Sequence, residues 1–155
     1  MEWGSLARAL HVLAVVVWIG GVWLITTVLL PALRERPPQQ WFAEFEAIEE
    51  RFAPQARIAL LVVLLSGLYM IGAYGLWDRF ARPEFWWMDL MVGVWALYAL
   101  MLFVIEPLAL RRVLHRRAMS APAATLSLML WFHRVMLLLS LAAIFAAVGG
   151  AHGLF

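Results

Sequence analysis

Cysteine and lysine are both missing from this 155-residue chain. Without cysteine there is no disulfide framework, no thiolate metal site and no cysteine nucleophile. Charge is scarce as well, at 14% of residues where a soluble domain carries about a quarter. So little polar surface cannot wrap a water-soluble globule, which excludes a soluble cytoplasmic enzyme. Disorder is excluded from the other side, because disordered chains are poor in aromatic and branched aliphatic residues and this one is 65% hydrophobic with nine Trp. The sequence also lacks a Ser-His-Asp or Cys-His arrangement, an HExxH pair, a Walker loop and a GxGxxG turn, so hydrolytic and nucleotide-driven functions have no support. The net charge of +2 comes from arginine alone. Those arginines flank apolar runs, so the basicity reads as membrane topology and no nucleic-acid partner is expected.

What is present is apolar length. Mean hydropathy is +0.86, and four stretches are each long enough to cross a bilayer core, which takes ~20 helical residues. They run from about residue 6 to 30, 58 to 76, 85 to 110 and 123 to 148. Lipid cannot satisfy exposed backbone groups, and four spans are too few for a barrel, so the spans must be helices. The expected fold is all-α, one integral membrane domain built as an up-down-up-down four-helix bundle. The first run is too long for the h-region of a signal peptide and no basic segment precedes it, so it counts as a span. In the longest connection, residues 41–52 read as an amphipathic surface segment with Trp41, Phe45 and Ile48 on one face.

Orientation follows from arginine. The connections 31–57 and 111–122 share one side and hold Arg34, Arg36, Arg51, Arg57, Arg111, Arg112, Arg116 and Arg117. The other side has Arg8, Arg79 and Arg82. The positive-inside rule then predicts a bacterial inner (plasma) membrane protein with both termini on the outer, periplasmic side. Trp3, Trp77, Trp86 and Trp87 are expected at that outer interface as an aromatic belt.

Ionisable side chains within spans are costly and usually mark a site. His11 lies in the first span with Trp18 two turns later on the same face, and Ala14 and Val15 between them. A histidine, small residues and a large aromatic suit a flat macrocycle. A histidine hydrogen-bonded to a neighbouring helix, with Gly20-Gly21 as a packing step, is the plainer alternative. Asp89 stands between Met88 and Met91 near the start of the third span. The first and third spans run the same way, so His11 and Met91 are expected at similar depth. Together they could clamp a haem iron or hold copper. In the fourth span Met129, His133 and Met136 fall at i, i+4 and i+7, a thioether–imidazole–thioether face suited to Cu(I) or to plain packing. His11 and His133 should be on the order of 15–20 Å apart along the bundle, too far to grip one iron. Arg57 and Arg134 are placed either to pair with a propionate or other carboxylate or to snorkel to headgroups. Glu106, followed by Pro107 and then Arg111-Arg112, is positioned to meet an arginine, and His152 could lean back toward His11.

The stretch Leu10-His11-Val12-Leu13-Ala14-Val15-Val16-Val17-Trp18-Ile19-Gly20-Gly21, with Leu30-Pro31-Ala32-Leu33, Arg51-Phe52 and Ser66-Gly67-Leu68-Tyr69, resembles the small bacterial CopD-like membrane proteins. The order of elements is similar over nearly the whole chain. That resemblance implies copper uptake and resistance alongside a periplasmic copper-binding protein. The layout is also similar to HemJ, the haem-binding protoporphyrinogen oxidase, whose first-span haem-ligand His would correspond to His11. Its essential Lys near the start of the third span has no counterpart here. Met91 stands at about that position and Trp87 at that of the preceding Trp.

Two function classes follow, with a third behind them. One is a membrane b-type haem protein, a membrane oxidoreductase if it is an enzyme, that uses His11 as ligand and exchanges electrons with a quinone, a porphyrin or a partner protein. The second is a copper-handling protein drawing on His11, Met91, Asp89, Met129, His133, Met136 and His152. The third is a cofactor-free accessory subunit packed in a larger membrane complex or homo-oligomer.

Overall fold

The computed structural model describes residues 2–154, and the side chains at 2, 38, 39, 109–112 and 115 lie outside the described residues, Arg111 and Arg112 of the arginine count among them. No strand occurs among the described residues. Four helices are long and apolar enough to cross a membrane, and they form an all-α bundle with both termini at one end. The first is α1 (Glu2–Leu24), prolonged by a π-helical turn (Ile25–Leu29) and α2 (Leu30–Leu33). The second is α3 (Pro38–Ala73). The third is α4 (Trp86–Ala99), continued by a π-helix (Leu100–Leu110) into α5 (Arg111–Ser120), and the fourth is α6 (Pro122–Ala151). Large apolar side chains such as Val12, Val16, Leu65, Leu138 and Phe145 cover the outside, as a protein solvated by lipid chains requires.

The hydrophobic effect does not hold such helices together within a bilayer, since lipid is as apolar as leucine. Close packing and interhelical hydrogen bonds must do so. The first and second spans pack most extensively. Their contact runs over small residues: a Cβ at Gly4 would strike the Tyr74 hydroxyl, and one at Gly21 would strike the Phe52 ring. Gly21 therefore makes room for a side chain of the neighbouring span. At the terminal end, Gly150 of the fourth span admits the Trp87 indole in the same way. Trp87 is thus buried, while Trp3, Trp77 and Trp86 are exposed as the belt requires.

Two elements differ from the sequence expectation. Residues 41–52 do not form a separate helix lying on the membrane. They are the early turns of α3, which carries on past Pro54 without a break for 36 residues, ~54 Å against a hydrocarbon core of ~30 Å. Trp41 and Phe45 are buried against Leu30, Leu33, Leu126 and Leu130, while Ile48 is exposed. The apolar face found by periodicity is real, but protein rather than lipid covers it. The third span likewise continues as helix from Trp86 to Ser120 where a turn was expected after residue 110.

Gly150→Val should lower the unfolding free energy in mixed micelles by ~1–3 kcal/mol, since the indole has nowhere to retreat. Gly20→Ala, where a Cβ meets nothing within 4 Å, should change it by less than ~0.5 kcal/mol.

Candidate functional site

The polar interior divides into two levels. At the terminal level, His11 Nδ1 lies 2.9 Å from Ser66 Oγ. Ser66 is the one serine or threonine in the apolar run 58–76, and its hydroxyl proton goes back to the Val62 carbonyl of its own helix. Nδ1 must then be the donor to Ser66, which leaves Nε2 of the neutral ring with a bare lone pair. A histidine whose far nitrogen ligates a metal is oriented in this manner. Gly67 packs beside the ring, where a Cβ would make an ordinary contact with His11 Cε1 at 3.5 Å.

Below this level the Trp18 and Tyr98 rings meet edge-on across the core, centroids 4.7 Å apart at 89°. Such a pair contributes ~0.5–1.5 kcal/mol beyond area burial. It also fixes the register of the first span against the third. Seven residues toward the terminal end from Trp18 is His11, and seven from Tyr98 is Met91. Two turns return each helix to nearly the same face, so His11 and Met91 stand at one depth, ~10 Å from the ring pair. Met91 is half-buried and packs against the central cluster that contains Ala14 and Trp18.

The second level, in the arginine-rich half, surrounds a cavity of about 110 Å³. Its walls include Trp18, Phe52, Tyr98, Glu106, His133 and Met136. His133 Nδ1 donates to the Met129 carbonyl at 2.9 Å, so Nε2 again carries the lone pair. The rings of Phe45 and Phe132 stand edge-on to this imidazole. Trp18 is 4% exposed, and its Nε1–H has no hydrogen-bond partner among the described residues. Ser140 connects this level to the core by hydrogen-bonding Tyr98 at 3.2 Å and the Met136 carbonyl at 2.8 Å.

An ion pair braces the cavity. Arg57 Nη2 lies 3.0 Å from Glu106 Oε1, and Arg57 Nε donates to the Leu102 carbonyl at 3.0 Å. The local reason is legible in the backbone. In a π-helix each N–H bonds five residues back, so residue 107 should serve the carbonyl of residue 102. Residue 107 is proline and has no N–H. Arg57 supplies the missing donor from the second span, and its charge then meets Glu106 one turn on. Trp95 Nε1 adds a further bond to the Leu60 carbonyl at 3.0 Å between the same two spans.

The sequence-predicted residues sort accordingly. His11 and Met91 share a depth, and Trp18, two turns below, lines the cavity. His133 and Met136 line the cavity together, whereas Met129 turns into the neighbouring cluster with Leu30 and Leu126. Arg57 pairs with Glu106. Arg134, Asp89 and His152 are exposed, and His152 Nδ1 donates to Val148 of its own helix at 2.8 Å. Among the described residues no three His, Asp or Glu side chains converge. Ser66, Tyr98 and Glu106 were not in the expected site. The first signal of each was a polar group inside an apolar run, but its partner lies 40 to 55 residues away in sequence.

No family model, curated protein or solved structure matches the chain. The donor set at His11 and Met91 fits a haem iron, but the space does not. The cavity does not include His11, and 110 Å³ is well under the ~300 Å³ at which cofactor pockets begin. A macrocycle at His11 would require the spans to part.

Arg57→Met leaves the Glu106 carboxylate, whose side chain is 4% exposed, without its cation and should cost ~3 kcal/mol in a reversible micelle unfolding titration. Adding Glu106→Gln should recover part of that loss. Full additivity of the two substitutions would show that the pair is not coupled.

Proposed function

We propose that this chain handles copper(I) in the membrane, taking the ion between the His11 imidazole and the Met91 thioether in the terminal half of the bundle. One observation carries the reading: the hydrogen bond from His11 Nδ1 to Ser66, which leaves Nε2 available on the face that also buries Ala14 and Trp18. Imidazole with thioether is a soft donor set that favours Cu(I) over Zn(II) or Mg(II). A single ion needs no porphyrin-sized pocket, which is why copper ranks ahead of haem. The ion is cargo, so the site must hold it without caging it, and a two-residue site shared by two spans meets that need. The Trp18–Tyr98 pair closes the core directly below. The likeness of the first span to CopD-like proteins points the same way, and the arginine count turns the terminal end outward, where a periplasmic copper protein would meet it.

Haem is the second reading, supported by the same His–Met pair. It requires the first and third spans to move apart, and its His11 ligand would be the one used for copper.

In a chelator-competition titration of the detergent-purified protein, His11→Ala and Met91→Leu should each weaken Cu(I) binding by at least tenfold, with the helical circular-dichroism signal retained. Unaltered affinity in both variants would refute the copper site. A Soret band from a haem-replete preparation, abolished by His11→Ala, would establish haem in its place.

A further inference from the structure

The cavity in the arginine-rich half has features that a packing defect would not have. Its volume, about 110 Å³, is of the order of the ~150 Å³ apolar cavity that accepts a benzene ring. Aromatic side chains form much of the wall, Phe52, Tyr98 and Phe132 among them. One wall residue, Trp18, buries an N–H with no hydrogen-bond partner among the described residues. Leaving such a donor unmade costs ~1–3 kcal/mol, so an acceptor brought by a ligand would be strongly favoured there. A second wall residue, His133, has spent Nδ1–H on the Met129 carbonyl and offers only an acceptor at Nε2. Ile48 also lines the cavity and is 38% exposed, so one wall of the space lies at the protein surface.

We infer that this cavity binds the head group of a lipid-soluble quinol. The chemistry selects the class. A ring of six carbons fills the volume, and a ring hydroxyl can both accept from the Trp18 N–H and donate to His133 Nε2, which neither a hydrocarbon nor an ether can do. A ligand entering from the side of a membrane bundle must partition into lipid, and an apolar tail left outside the cavity supplies that. The inference is independent of the copper site, which uses His11 and Met91 at the other level. No electron transfer is invoked.

The test uses the full chain in lipid nanodiscs and a decyl-tailed benzoquinol bearing an azide for photolabelling. Labelled peptides are mapped by mass spectrometry, and half-saturation is read by competition with unlabelled decylbenzoquinol. The proposal expects saturable labelling of peptides containing Phe52 or Phe132. Trp18→Phe should weaken it roughly tenfold, the worth of one hydrogen bond from a buried donor. Ala56→Leu, which fills the cavity from a residue only 1% exposed, should abolish it. Cu(I) affinity should stay unchanged in Ala56→Leu, which separates failure here from failure of the copper reading. If Ala56→Leu unfolds, Ala53→Val provides the same obstruction with less volume. Labelling that does not saturate, or that is equal in wild type and both variants, overturns the proposal. So does competition by decylbenzene as effective as that by the quinol, because recognition would then owe nothing to Trp18 and His133.

Discussion

The interior of this bundle depends on the contact between Arg57 and Glu106. A charge within a membrane protein is tolerated only when partnered, and here two charges from different spans partner each other at 3.0 Å. The same guanidinium accepts the task that Pro107 cannot perform and caps the Leu102 carbonyl. One side chain thus resolves a buried carboxylate and a broken backbone ladder together. The consequence is mechanical. The third span can stay π-helical through residues 100–110, wider than an α-helix, and present Met101, Leu102 and Glu106 to the space beside α3. Met101, Leu102 and Glu106 of that segment form part of the cavity wall.

Two polar levels then follow along the bundle, separated by the Trp18–Tyr98 ring contact. Each contains a histidine whose Nδ1 is committed, to Ser66 in one case and to the Met129 carbonyl in the other. Each leaves Nε2 as a lone pair. The levels differ in what lies near each histidine: Ser66 and Gly67 of the second span at His11, an aromatic-walled cavity at His133. Trp18 stands between the levels, its ring against Tyr98 and its side chain on the cavity wall.

Much of this was legible in the chain itself. Four spans follow from apolar length, and the two histidines follow from the cost of polar groups in lipid. The equal depth of His11 and Met91 follows from the parallel course of alternate spans. What periodicity could not supply was the partner of each exception. Ser66 and Glu106 are visible as anomalies, but nothing local says that one meets His11 and the other Arg57. Nor could a helical wheel distinguish lipid from protein as the cover for Trp41 and Phe45. Pro54 and Pro107 both lie inside continuous helices, and at Pro107 the missing donor is replaced by Arg57 of the second span. The Met129–His133–Met136 face was correctly spaced, but the cavity takes only two of the three.

The claim that organises the functional account is that imidazole nitrogen and thioether sulfur share one ion in the terminal half. Copper K-edge X-ray absorption on the protein loaded with one equivalent of Cu(I) reads those scatterers directly. The account predicts nitrogen and sulfur in the first shell, with the sulfur contribution lost in Met91→Leu and the nitrogen contribution diminished in His11→Ala. A first shell of nitrogen and oxygen alone, or one unchanged by either substitution, would contradict it.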